Sequence, residues 1–339
     1  MIFYIECFLF SFLISFLFVP IIRYFSIKFG NYDRPNEIKT HKGIIPLSGG
    51  IAVFLSFSLT LILFRFFTSF PSGTLRELRY ILIGSFIILI IGFIDDLFKP
   101  EGIKAEIKFL IEIFLSLFMI TRGFSINFIK PDYIGYILTV LWIVGVTNAF
   151  NIIDIMDGLS SSQVFISSLS FFIIIMPSES IYVNFLSTAL AGSILGFIPY
   201  NMSARYKIFL GDSGSLFCGF VLSVISLGGG YSDNNPLGVY APLLILSIPI
   251  YDTLYVSYMR IKRGLSPFKG TKDHFALRLE LMGYSRKKIV LITSVFTSIM
   301  SLLSFLVINT NIYYGVLIYI ISFVLFIFIS KKLSAVKVN

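Results

Sequence analysis

Asp95 and Asp96 in IDDLFKP, Asp154 and Asp157 in NAFNIIDIMDG, and Asp212 in FLGDSGS border apolar runs in a chain of 339 residues that is 56% hydrophobic. An ionised aspartate at the centre of a bilayer span costs roughly 2.5 to 3.5 kcal/mol, so such residues point to chemistry by default. Clustered Asp and Asn oxygens suit a hard cation. Mg2+ takes one or two carboxylates and completes its shell with water and substrate phosphates. Zinc does not fit, because Cys7 and Cys218 lie in apolar runs with no CxxC or histidine neighbour. The two histidines, His41 and His274, fall in polar loops.

Spacing refines this. Asp154 and Asp157 are three apart, which on a helix puts both carboxylates on one face, where like charges need a cation or hydrogen-bond donors to stay ionised. Asp95 and Asp96 are adjacent and point in different directions on a helix, so they do different jobs. In FLGDSGS, Asp212 and Ser213 read as N-cap residues, and Gly211 and Gly214 admit close backbone approach. A helix start there is an anion site suited to phosphate. Lys and Arg from neighbouring loops would supply further phosphate contacts.

These residues need a frame, and the apolar runs provide it. A mean hydropathy of +0.90 with 13% charged residues predicts an all-α, polytopic integral membrane protein. Continuous runs such as FYIECFLFSFLISFLFVPII exclude the alternation of an outer-membrane barrel. That first run lacks a basic n-region, carries Glu6 and precedes no small-residue cleavage site, so it reads as a span and not a signal peptide. Eleven crossings are expected, near 3–22, 47–64, 80–94, 106–121, 134–150, 159–176, 182–199, 213–229, 238–258, 289–309 and 313–330. Chain 1–339 then forms one transmembrane domain, with active-site loops near 23–46, 95–108, 148–158, 200–212 and 259–288.

The net charge of +9 is distributed for membrane orientation and not for nucleic acid. One set of loops carries Arg23, Lys28, Lys42, Lys99, Lys108, Lys207 and the dense 260–288 cluster; the other holds only Arg65, Arg76, Arg79, Arg122 and Lys130. The positive-inside rule places the rich side in the cytoplasm, the N-terminus outside and the C-terminus inside. All five polar motifs then fall on the cytoplasmic face, which the rule alone does not require of aspartates.

With their order and spacing, the motifs DRPNEIKTHKGIIPLSGG, IDDLFKP, NAFNIIDIMDG, NMSARYKIFLGDSGS and RIKRGLSPFKGTKDHFALRL resemble the polyprenyl-phosphate N-acetylhexosamine-1-phosphate transferases over about residues 30 to 290. The resemblance implies attack of a membrane polyprenyl phosphate, such as undecaprenyl phosphate, on a UDP-sugar. The products are polyprenyl-diphosphate-sugar and UMP, and the step initiates cell-envelope glycan synthesis in the inner membrane. It implies Mg2+, with Mn2+ as a substitute, and is compatible with a homodimer. Asp212 resembles the magnesium ligand, with Asn151 sharing the metal. Asp95 resembles the base or positioner of the lipid phosphate, with Asp96 beside it, and Lys108 a diphosphate-binding lysine. Phe209 resembles the ring stacked on uracil. Asp154, Asp157 and Lys42 match nucleotide-side residues, and Asn201 a recurrent asparagine. His274 and Arg278 remain from a longer histidine motif, whose loss favours an N-acetylglucosamine-like donor over a muramoyl-pentapeptide. Ile155 replaces a glycine of the usual DGxDG.

Two other classes fit the sequence less well. A transporter or flippase predicts inverted repeats and acids at mid-depth, neither of which is visible. A CDP-alcohol phosphotransferase needs Ala-Arg soon after the Asp-Gly pair, where this chain reads LSSSQVF.

Overall fold

The computed structural model describes residues 1–33, 43–68, 70, 73–99, 101–177, 180–232, 235–266 and 273–336. Long apolar runs close their backbone hydrogen bonds within themselves, the solution that a bilayer demands, and the chain is accordingly helical. In order the helices are α1 (Ile2–Lys28), α2 (Gly49–Phe67), α3 (Thr74–Leu97), α4 (Ala105–Thr121), α5 (Asp132–Ile153), α6 (Leu159–Ile175) and α7 (Ile181–Asn201). There follow α8 (Gly211–Ile225), α9 (Ala241–Ile245), α10 (Ser247–Lys262), α11 (Phe275–Leu281), α12 (Arg286–Asn309) and α13 (Ile312–Ser334). Tyr32–Asp33 and Ile45–Pro46 add a two-stranded antiparallel pair that the all-α expectation did not include.

Each of the eleven expected windows holds helix. Among the described residues, seven helices are long and apolar enough to cross a membrane, or eight if α9 and α10 with the short 3-10 turn before them count as one span bent by 71°. The protein is therefore a multi-pass membrane protein. The window 238–258 is not one straight helix, because Pro242 and Pro249 each remove a backbone donor beside the break at Leu246. Helices α6 and α8, of 17 and 15 residues, are shorter.

Helix α8 is the hub. It is buried along almost its whole length and packs against α2, α3, α5, α6 and α7. A chain surrounded by protein need not match the bilayer in length, which is how a 15-residue helix serves at the centre. Cys7 and Cys218 are free, buried thiols, as expected of small apolar fillers.

The motif loops meet at one end of the bundle. Phe209 N–H donates to the Pro46 carbonyl at 2.9 Å, and Gly49 N–H donates back to the Phe209 carbonyl at 3.0 Å. Gly158 N–H donates to Asn201 Oδ1 at 2.7 Å. Phe275 and Tyr255 share an apolar cluster with Ile153 and Met156, which brings the α10–α11 segment onto the same end.

Candidate active site

Asp95 and Asp96 close α3 and have separate partners. Asp95 Oδ1 accepts from Ile103 N–H at 2.5 Å, and its Oδ2 pairs with Lys108 Nζ at 3.0 Å. Asp96 instead accepts from the backbone N–H groups of Asp212 and Ser213, both at 3.0 Å, at the start of α8. The expected cap is thereby corrected: Asp212 and Ser213 lie inside the first turn, the N-cap position is Leu210, and the capping carboxylate comes from α3. It also occupies the helix start that the sequence offered to phosphate. Gly211 makes this possible, because its φ is +75° and a Cβ there would lie 2.6 Å from Asp96 Oδ2 and 2.3 Å from the Leu47 carbonyl.

Lys99 then links the two halves, 2.8 Å from Asp96 Oδ1 and 3.2 Å from Asp212 Oδ1. Burial alone would lower its ammonium, but the Asp212 and Asp96 carboxylates outweigh that and hold it above the ordinary lysine range. The carboxyl groups of Asp95 and Asp212 come within hydrogen-bonding reach of one another. Two carboxylates so close require a proton or a cation between or beside them.

On the opposite wall, α5 ends at Ile153, so Asp154 and Asp157 lie in a turn and not on one helical face. Gly158, at φ +79°, lets this turn reverse into α6. Asp157 pairs with Lys207, whose Nζ lies 5.5 Å from the centre of the Phe209 ring. Phe209 is thus a partly exposed ring beside an ion pair at the rim. Asn151 uses its amide nitrogen on Ser215 Oγ at 3.0 Å, one turn beyond Asp212, and not its oxygen, the atom that a hard cation needs. Asn201 is buried and fully engaged, taking Gly158 N–H and giving its own N–H to the Ile208 carbonyl at 3.0 Å. It fastens the two loops together.

Asp154 is partly buried, and burial, then Asp212, with lesser contributions from Asp96 and Asp157, push its carboxyl from 3.8 up to about 8 against the pull of Lys99. Between these values the folded chain holds a proton that the unfolded chain has released, so this group costs more stability as pH rises from about 4 to 8. Asp154→Asn is expected to raise the melting temperature by a few degrees at pH 8 and to change it little at pH 4, measured by thermal unfolding in detergent without added metal.

His274 and Arg278 belong to a neighbouring cluster. Asp252 Oδ2 lies 2.7 Å from His274 Nδ1, and its Oδ1 accepts Phe275 N–H at 3.0 Å, starting α11. A carboxylate can only accept, so Nδ1 carries the proton. Arg278 is wholly buried, pairing with Asp273 Oδ1 at 2.7 Å and donating to the carbonyls of Leu333 and Val336 at 3.1 and 2.6 Å. Its guanidinium ties α11 to the last turn of α13. Lys42 and His41 lie outside the described residues. In the sequence Lys99 and Lys207 read only as loop cations, and Asp252 as an intramembrane acid whose partner is a lysine or a helix end, outside the catalytic set; only Lys99, three after Asp96, had a local signal for its pairing.

With Asp154 protonated below about pH 8, Asp95, Asp96, Asp157 and Asp212 face Lys99, Lys108 and Lys207 across the cleft and its rim, and the adjoining Asp95 and Asp212 carboxylates favour a cation. Among the described residues, no group of three or more His, Cys, Asp or Glu side chains is arranged to hold a metal. That donor set, oxygen-only and with two adjoining carboxylates, fits Mg2+, which draws most of its shell from water and phosphate.

A family model described as glycosyl transferase family 4 matches residues 78–230. The chain is 32% identical, over 85% of its length and 80% of the relative's, to a probable undecaprenyl-phosphate N-acetylglucosaminyl 1-phosphate transferase of Bacillus subtilis (strain 168). The chain belongs to glycosyl transferase family 4. Undecaprenyl-phosphate alpha-N-acetylglucosaminyl 1-phosphate transferases of Yersinia pestis and Escherichia coli (strain K12) are each 29% identical to this family 4 chain. They cover 84% and 83% of it, and it covers 79% and 78% of them. The family 4 match spans α3 to the end of α8, the segment that carries Asp95, Asp96, Asp154, Asp157 and Asp212.

Proposed function

We propose that this protein transfers N-acetylglucosamine 1-phosphate from UDP-N-acetylglucosamine to undecaprenyl phosphate, releasing UMP, at the cytoplasmic face of the inner membrane, and so initiates a cell-envelope glycan. The observation that carries the reading is the convergence of Asp95, Lys108, Lys99 and Asp212 at one end of a membrane bundle, in a chain related to enzymes named for this transfer. One phosphoanhydride replaces another: an oxygen of the lipid phosphate bonds to the sugar-linked phosphorus, and the bond from that phosphorus to the UMP oxygen breaks. No external energy source is needed.

Each side chain has a task in this scheme. Lys108 and Lys99 neutralise diphosphate oxygens, since both ammonium groups reach the cleft between the carboxylates. Asp95, steadied by Ile103 N–H and Lys108, positions the attacking lipid phosphate. Phe209 stacks on uracil, Lys207 and Asp157 frame the nucleotide, and Asp154 lies on the same side. Asp212 and Asn151 would hold Mg2+, with Mn2+ as a substitute, which when bound offsets charge on the diphosphate. Asn201 and Arg278 act by positioning loops. The basic residues on the active face give the orientation, with eleven crossings, the N-terminus outside and the C-terminus in the cytoplasm.

The imidazole of His274, oriented through Nδ1 by Asp252, presents Nε2 to a phosphate oxygen. Asp252→Asn is expected to lower kcat by on the order of 10^2. The loss should appear in kcat far more than in KM, because a correctly oriented imidazole acts on the transferring phosphate and not on substrate capture. A change in protein yield alone, with kcat per folded molecule unmoved, would assign Asp252 to folding.

The test of the reaction is purified protein with undecaprenyl phosphate, Mg2+ and a panel of UDP-sugars, following UMP release and transfer of label to organic solvent. Product with UDP-N-acetylglucosamine, lost on chelation, establishes the proposal; product only with another 2-acetamido sugar keeps the mechanism and changes the donor.

A further inference from the structure

The opposite end of the bundle carries a feature that this chemistry does not use. Helices α2 and α3 part there around a groove of about 440 Å3 with walls of Leu61, Leu78, Leu82 and Phe86. Arg65, in the last turn of α2, and Arg79, in the second turn of α3, line the same groove. Both are exposed, and among the described residues neither side chain has an ion pair or hydrogen bond. Other cations of that face are engaged within the protein: Arg122 stacks on Tyr80 and Phe118, with ring centres 4.7 and 5.1 Å away, and Lys130 pairs with Asp132. Arg79 and Asp95 are sixteen residues apart on α3, about 24 Å at 1.5 Å per residue, so groove and active site occupy opposite membrane faces.

An apolar trough ending in two guanidiniums without a partner among the described residues, on the bilayer side of a membrane bundle, matches an amphiphile with a hydrocarbon chain and an anionic head. Water does not fill such a trough favourably, and guanidiniums at headgroup depth attract phosphate. We propose that the α2–α3 groove binds an anionic glycerophospholipid, its phosphate on Arg65 and Arg79 and one acyl chain along Leu61, Leu78, Leu82 and Phe86. Bilayer phospholipid is the commonest amphiphile at that depth, and mass action therefore selects it over a scarce one. The proposal is independent of the transfer reaction and rests on the membrane fold alone.

Native mass spectrometry of the full chain, delipidated in detergent and titrated with palmitoyl-oleoyl phosphatidylglycerol or phosphatidylcholine, tests it. The wild type is expected to retain phosphatidylglycerol preferentially. Arg65→Ala with Arg79→Ala is expected to weaken it about 30-fold, at about fivefold for each cation near a headgroup. Arg76→Ala, one turn away and outside the groove, should leave the affinity unchanged, and Phe86→Ala should weaken both lipids through lost chain contact. Equal affinity for the two lipids, an undiminished affinity in the double variant with a wild-type melting temperature, a preference for polyprenyl phosphate at these arginines, or a lipid-free dimer would each overturn the proposal.

Discussion

Asp212→Asn is expected to fold, to insert and to release UMP at a rate lower by a factor on the order of 10^3, the effect of removing one electrostatic anchor from a charged transition state. Folding is spared because the Asp212 side chain caps nothing: its backbone N–H is held by Asp96, and Lys99 keeps Asp96 at 2.8 Å when the second carboxylate becomes an amide. Asparagine preserves shape and removes one negative charge where Asp95 and Asp212 adjoin. The variant should also lose sensitivity of its melting temperature to Mg2+. A wild-type turnover in folded Asp212→Asn protein would refute the assignment of the site.

Asp96→Ala is expected to fail differently, in the yield of folded protein. The carboxylate is almost wholly buried, and its loss leaves two N–H groups at the start of α8 without acceptors and Lys99 with a single partner. Breaking one partner out of a buried charged network costs about 3 to 5 kcal/mol. At about 2 to 4 °C per kcal/mol for a domain of a few hundred residues, the melting temperature should fall by roughly 10 °C. Asp95→Ala provides the contrast, because it frees one loop N–H and Lys108 but leaves α8 capped: folded protein with little turnover. Thermal unfolding monitored by size exclusion, run beside the UMP assay, separates the two aspartates, and equal unfolding of both variants would remove the distinction.

The helices were legible because each apolar run states its own conformation in a bilayer, and all eleven windows contain helix. The bend at Leu246 was less so, since prolines mark a break without giving its angle. The polar residues were legible by type and motif, and their separate roles were not. The backbone N–H groups that Asp96 caps stand 116 and 117 residues away, so no local pattern betrays a cap supplied from another helix. The i, i+3 reading of Asp154 and Asp157 failed because α5 ends at Ile153, before either aspartate, and both lie in the turn that Gly158 closes into α6. Arg278 comes from a motif that the resemblance assigns to substrate binding, and its complete burial cannot be seen in the sequence. Asp252 acquires a role only when α10 and α11 meet and place it against His274.

The guanidinium of Arg278 has a practical bearing on how this protein is handled. Because it grips the carbonyls of Leu333 and Val336, the end of the final helix is part of the scaffold behind His274. An affinity tag or fluorescent fusion joined directly after that turn pulls on a strut of the segment that carries His274, whereas one placed before α1 or set off by a long flexible spacer does not. Activity compared between fusions at the two termini should therefore differ in the sense that the directly joined C-terminal one is impaired, and an inactive preparation of that kind says more about the tag than about the enzyme.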